Sequence, residues 1–96
     1  MSNIQIISKK SVGKFFIPLD ETDAHIVYKM ISKDTIEYYS TFVPSGYRGK
    51  PYAEDLAVFA FDYALKNNLK VIVTCPYLRK FIGKNKELYK DLDFKE

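Results

Sequence analysis

Apolar residues recur at every second position through the first half of the chain and at every third or fourth position through the middle. The alternating segments read as strands, because successive side chains on a strand point to opposite faces of a sheet. Residues Asn3 to Lys9 open with Ile4 and Ile6 and form a short strand or an extended lead-in. Lys14 to Leu19 follows Gly13, with Phe16 facing opposite to Phe15 and Ile17. Next, Ile26, Tyr28 and Met30 alternate with His25, Val27 and Lys29, and Ser32-Lys33-Asp34 makes a turn. Ile36, Tyr38, Ser40 and Phe42 then alternate with Glu37, Tyr39 and Thr41. Short polar breaks join these segments, which favours an antiparallel meander.

After Lys50 the period changes. Leu56, Phe59, Ala60, Tyr63 and Ala64 fall on one stripe of a helix. Pro51 suits a first helical turn, where its missing N–H is not needed, and Glu54 and Asp55 early with Lys66 late complement the helix dipole. Asn67-Asn68 is the stop, and Leu69 to Val73 is a short β-branched run suited to the inside of a sheet. Strand, helix, strand implies a right-handed crossover and a parallel pair. A last helix from Pro76 pairs Tyr77 with Phe81 and Leu78 with Ile82, and Glu87 to Leu92 forms one more helical turn over the core. The expected fold is α/β (α+β): a mostly antiparallel sheet with one parallel pair linked by a crossover helix, in a single domain spanning residues 1–96.

Composition narrows the function classes. Ninety-six residues suffice for one small core, to which eight Tyr and seven Phe contribute heavily. A net charge of +3 suits an anionic ligand, but a dedicated nucleic-acid binder would carry a denser basic stripe, so that reading is a remote alternative. The single cysteine cannot form an internal disulfide, which fits a reducing compartment. With no secretory apolar run at the start and nothing near the ~20 apolar residues of a membrane span, a cytoplasmic domain is expected. One His, one Cys and scattered carboxylates lack metal-ligand spacing, and His25 is expected to be a solvated strand residue.

The chemistry concentrates at Val43-Pro44-Ser45-Gly46-Tyr47-Arg48-Gly49-Lys50, where a strand ends, two cations and two glycines turn the chain, and a helix begins. Helix N-termini present unpaired N–H groups and partial positive charge, so they attract phosphate. A surface turn is the competing reading. Ligands of strand–helix–strand units sit beyond the carboxyl ends of the strands. That edge also holds Thr74-Cys75-Pro76. A lone cysteine after an apolar strand is commonly a small buried hydrophobe. Against that, a following helix N-terminus and nearby cations such as Arg79 and Lys80 would activate a thiol.

Three segments, VPSGYRGKPYAEDL, LKVIVTCPYLRKFI and ELYKDL, together resemble the GNAT acetyltransferase superfamily, within it a compact group of single-domain proteins; the likeness runs from Met30 to Leu92, about two thirds of the chain. The resemblance implies acetyl coenzyme A as the donor, with its pyrophosphate on the backbone amides around Arg48, Gly49, Lys50, Pro51, Tyr52 and Ala53. It also implies that the pantetheine arm runs between strands ending near Phe42–Val43 and near Thr74, with Tyr47 and Tyr77 at the rim and Cys75 as the catalytic candidate. Cys75 would serve as an acyl acceptor or as an acid–base group near the thioester.

Two positions depart from the family pattern. Pro51 stands where Gly is usual, which removes one pyrophosphate donor, a loss on the order of 1.5–3 kcal/mol if uncompensated. Ser40-Thr41-Phe42 stands where relatives often have His-Thr-Glu, so only Thr41 matches and that segment offers no general base. The implied activity is transfer of an acetyl group to an amine, small-molecule or peptide, by a protein more easily pictured as a monomer. The alternative is an acyl coenzyme A-binding module with little or no transfer.

Overall fold

The structure is a computed structural model, and it describes residues 3–95. Six strands form one sheet in sequence order. They are β1 (Gln5–Lys9), β2 (Val12–Pro18), β3 (Asp23–Ser32), β4 (Thr35–Phe42), β5 (Lys70–Val73) and β6 (Asp93–Lys95). A single 3₁₀ turn, Ser45–Tyr47, and helix α1 (Tyr52–Lys66) connect β4 to β5; helix α2 (Pro76–Lys84) connects β5 towards β6. The first four strands are the expected antiparallel meander, and β4 and β5 are the expected parallel pair. A second parallel pair, β5 with β6, extends the sheet beyond what the sequence pattern suggests. The segment before β6 is a chain of turns rather than a further helix, yet Tyr89 and Leu92 are buried over the core as that reading required.

One face of the sheet carries the core. Phe15 and Ile17, Ala24, Ile26 and Tyr28, Ile36 and Tyr38, and Val71 and Val73 point inward from four adjacent strands. The stripe expected on α1 is too narrow: Ala57 and Phe61 are buried with Leu56, Ala60 and Ala64, while Phe59 and Tyr63 are only partly buried. Phe61 is inward because α2 and the chain after it close over that side. It stacks on Phe81 with ring centroids 5.9 Å apart and meets Tyr89 at 5.5 Å. A second aromatic cluster forms around Phe15, with Tyr28 at 4.9 Å, Tyr63 at 5.0 Å and Phe59 at 5.2 Å. Tyr38 joins the two clusters, 6.0 Å from Phe15 and 5.7 Å from Phe61. A fully buried ring such as Phe15 or Phe61 contributes about 1.5–3 kcal/mol through burial.

The alternation expected along β4 holds only to Tyr38. Val27 lies opposite Ser40 and Tyr28 opposite Tyr38, so Tyr39 has no partner and forms a β-bulge. The extra residue reverses the facing of everything after it. Thr41, opposite the buried Ile26, turns to the core face; Phe42, opposite His25, turns to the other one. On that other face His25 is half-buried rather than solvated, its Nδ1 against Asp23 Oδ1 at 2.5 Å and its ring 5.4 Å from that of Phe42.

Candidate functional site

Strands β4 and β5 run parallel in register from Thr35↔Lys70 to Tyr38↔Val73, and there the ladder stops. β4 continues to Phe42 while β5 ends, so the backbone edge from Tyr39 to Phe42 has no strand on its β5 side. The Tyr38 carbonyl marks the division: it accepts from both the Thr74 and the Cys75 N–H, at 3.1 and 3.3 Å. Side chains then hold the two strands at this spacing. Thr74 Oγ1 donates to Glu37 Oε2 at 2.9 Å, and the Thr41 hydroxyl meets Cys75 Sγ at 3.2 Å across the opening. Arg79 Nε donates to the Val73 carbonyl at 2.8 Å and so fixes the last β5 acceptor.

The mouth of this gap faces the turn between β4 and α1. The turn is closed by the Tyr47 N–H on the Pro44 carbonyl at 2.9 Å, the Lys50 N–H on the Tyr47 carbonyl at 3.2 Å, and Arg48 Nε on the Val43 carbonyl at 2.9 Å. Arg48 is therefore a brace for the turn as well as a positive charge beside it. Pro51 is the N-cap of α1 and its own side chain makes no capping bond; the first intrahelical partner is taken by Asp55, whose N–H reaches the Pro51 carbonyl at 2.9 Å. Among the described residues, the amides of Tyr52, Ala53 and Glu54 have no backbone carbonyl to bond. Three consecutive donors at a helix start, with exposed Lys50 beside them, suit a polyanion.

Aromatic groups frame the opening. Tyr47 and Tyr52 lie 6.1 Å apart, and the Tyr47 hydroxyl donates to Asp20 at 3.3 Å. The Asp20 carboxylate raises the Tyr47 phenol above its usual range. Tyr77, on the first turn of α2, is likewise raised, first by burial and then by the Glu54 carboxylate and Cys75. Glu54 and Tyr77 line one groove, which puts the N-terminal turns of α1 and α2 side by side. Cys75 is only 4 % exposed; it is the N-cap of α2 and makes no side-chain capping bond.

The comparisons with known proteins bear on this arrangement. A family model described as GCN5-related N-acetyl-transferase matches residues 14–92. The chain belongs to the GCN5-related N-acetyltransferase family. Its relatives include Protein NATD1 of Danio rerio, 37% identical over 62 residues that make up 65% of this chain and 56% of that protein. Protein NATD1 of Xenopus tropicalis is 34% identical over 86 residues, 88% of this chain and 79% of the relative. The chain thus spans little more than half the length of the zebrafish relative. Among solved structures, the NMR solution structure of a GCN5-like protein from Staphylococcus aureus superposes with a TM-score of 0.67 at 28% identity, covering 99% of this chain and 91% of that one.

Within this acetyltransferase fold, the residues singled out in the sequence come together at one edge. Val43, Tyr47, Arg48, Gly49, Lys50, Pro51, Tyr52 and Ala53 make the turn and helix start; Thr74, Cys75 and Tyr77 make the facing strand end and helix. Phe42 differs, because the bulge at Tyr39 turns its ring onto the opposite face against His25 and leaves only its backbone at the gap. Pro51 lacks an N–H, but the three amides without a backbone acceptor follow it, so the departure from glycine leaves them in place. Sequence reasoning passed over the Tyr38 carbonyl, the Thr74–Glu37 bond and the Arg79 brace. Backbone acceptors leave no mark on a sequence, and the Thr74–Glu37 contact needs the parallel register to be known. Among the described residues no helix is long and apolar enough to cross a membrane.

Proposed function

We propose that this chain binds acetyl coenzyme A and transfers the acetyl group to an amine. The observation that carries the reading is that the β4–β5 ladder ends at Tyr38↔Val73 and opens towards the helix-start amides of Tyr52, Ala53 and Glu54, which have no backbone acceptor. An unpaired strand edge is a hydrogen-bonding template for an extended amide chain. An uncapped helix start takes a diphosphate. The two halves of coenzyme A have those two chemistries. When bound, the cofactor supplies an acetyl thioester.

The chain's own part is placement and polarisation. The edge from Tyr39 to Val43 offers backbone donors for a thioester carbonyl; the braces through Arg48 and Glu37 hold that edge, and Arg79 holds the facing end of β5, before any ligand arrives. Burial of Cys75 and its contact with Thr41 support direct attack by a neutral amine over an acyl-cysteine intermediate. On that route the amine nitrogen forms the bond to the acetyl carbon, the carbon–sulfur bond breaks, and the amine's proton leaves to solvent or to the departing thiolate.

Titration with coenzyme A, followed by amide NMR, tests the binding. Resonances of residues 48–54 and 74–77 shift together if the reading holds; resonances that stay fixed at millimolar ligand overturn it. Intact-mass measurement after incubation with acetyl coenzyme A separates the routes, since an acetyl adduct that disappears in Cys75→Ala establishes the covalent one. Release of free thiol in the presence of a lysine peptide or a polyamine distinguishes transfer from binding alone.

A further inference from the structure

The face of the sheet away from the helices is open: Lys14, Phe16, His25 and Val27 are only half-buried there, and Phe42 is exposed. On the core face the gap is closed, since the Thr41 hydroxyl meets the buried Cys75. That leaves the open face as the way in for an acceptor. Ser40-Thr41-Phe42, which borders the gap, carries no side chain that takes a proton near neutral pH, but the neighbouring strand does. His25 stands on β3 opposite Phe42 of β4 and opposite Phe16 of β2, its ring 5.4 Å from that of Phe42. A carboxylate orients the imidazole. Asp23 Oδ1 lies 2.5 Å from Nδ1, and Lys14 Nζ reaches across from β2 to Oδ2 at 2.7 Å. Burial works against the charge on Asp23, but the bonds from Lys14 and His25 outweigh it and keep the carboxyl below its usual value. An ionised carboxylate only accepts, so Nδ1 carries the N–H and the neutral ring keeps its lone pair on Nε2. Among the described residues Nε2 has no hydrogen-bond partner, and no buried side-chain nitrogen lacks one, so Nε2 opens to solvent. Asp23 and Lys14 are the charged groups against this ring; Phe16 and Phe42, from the strands on either side, bring none.

We infer that His25 is the proton acceptor for the incoming amine, with Asp23 as its positioning residue. The inference rests on the transfer proposed above and supplies a step that reading leaves open. An alkyl amine is an ammonium near neutral pH and has no lone pair with which to attack. Nε2 takes one of its protons, the amine N–H bond breaking as the bond to Nε2 forms, and passes it on to solvent. The freed pair on the amine nitrogen then bonds the acetyl carbon as the carbon–sulfur bond breaks, and a second proton goes to solvent or to the thiolate. Neighbouring strands such as β3 and β4 lie about 4.8 Å apart, and the first proton crosses from the gap to His25 through one bridging water. Glu37, the other carboxylate on this face beside the gap, already accepts the Thr74 hydroxyl at 2.9 Å.

The pH dependence of thiol release from acetyl coenzyme A, with spermidine or a lysine peptide as acceptor, decides the point. In the unaltered protein kcat/KM rises as the imidazole loses its proton and levels off well below the amine's own pKa of about 10.4. His25→Gln is expected to lose roughly a hundredfold near neutral pH while keeping its affinity for coenzyme A. Its rate recovers as the amine deprotonates unaided, so its profile climbs steadily to the amine pKa. Asp23→Asn, which favours the other tautomer, loses rate in the same direction and recovers in the same way. A loss by the same factor at every pH, or an unchanged profile in His25→Gln, overturns the role of His25 and leaves transfer standing. A changed profile in Glu37→Gln with none in His25→Gln overturns it too. Binding of coenzyme A with no transfer to either amine overturns both this step and the transfer it serves.

Discussion

Tyr38 is fully buried where the two aromatic clusters meet, and its hydroxyl donates to the Ala60 carbonyl of α1 at 2.6 Å. Burial pushes its phenol far above the ordinary range, so the ring stays neutral at any working pH. Tyr38→Phe removes one buried hydrogen bond and is expected to cost about 1 kcal/mol in denaturant unfolding. Coenzyme A affinity should be unchanged, because the site uses the backbone of this residue and not its hydroxyl. Gly13 is the stricter position: a Cβ there would lie 2.5 Å from the Tyr28 ring and 2.7 Å from the Ile7 carbonyl oxygen. Backbone cannot step aside as a side-chain tip can, so Gly13→Ala is expected to destabilise by roughly 2 kcal/mol or more, read from the unfolding midpoint. Asp23 lends itself to a pH experiment. Burial works against its charged form, but bonds from Lys14 at 2.7 Å and from His25 win, and its carboxyl is held below the usual value. A depressed carboxyl adds stability above its unfolded value of 3.8, and that stability is lost as pH falls through the lower, folded value. Asp23→Asn should therefore flatten the acid limb of a stability–pH curve without steepening the alkaline limb.

At the scale of elements, legibility followed the range of the forces involved. The end of α1 is local and could be read. Asn68 sits at φ 53°, its N–H reaches the Leu65 carbonyl at 3.3 Å, and the Leu69 N–H reaches the Ala64 carbonyl at 2.9 Å. That is a Schellman closure, in which the residue after the cap must enter the left-handed region. Asn68→Gly should raise stability slightly and Asn68→Ala lower it by about 1 kcal/mol in thermal unfolding. The bulge in β4 was hidden, because Tyr39 fits a period-two pattern as well as its neighbours do. It decides which of Thr41 and Phe42 meets Cys75, so one unpaired residue reversed part of the expected site. β6 was hidden for a different reason. Three residues, Asp93–Lys95, are too few to show a period, and their pairing to β5 is set by tertiary closure over Phe61.

At the scale of the molecule, both helices and the core occupy one side of the sheet. The turn, the strand gap and the two helix N-termini converge on one edge. The convergence was legible because two motifs, the Arg48-Gly49 turn and Thr74-Cys75-Pro76, flank a crossover whose handedness and site location are general rules. The working parts inside it were not, since they are carbonyls, helix-start amides and side-chain braces that end on backbone or, like Thr74–Glu37, join residues 37 apart. On the proposed function, coenzyme A would engage this edge only in the folded chain. At about 100 times its dissociation constant it should raise unfolding stability by about 2.7 kcal/mol, seen as a dose-dependent rise in Tm. No rise across that range would mean that the folded edge does not engage the ligand.

The opening between β4 and β5 is locked chemically as well as sterically. Thr74 and Cys75 spend their backbone N–H groups on a single oxygen, and the next residue, Pro76, has none to offer and begins a helix. The two strands cannot zip shut by another rung, with or without a guest. A cleft that stands permanently ajar needs no wedge to enter it, so little of the association energy is diverted into rearranging the host. Capture should then proceed in one kinetic phase, at a rate linear in ligand concentration, with no slow step that saturates.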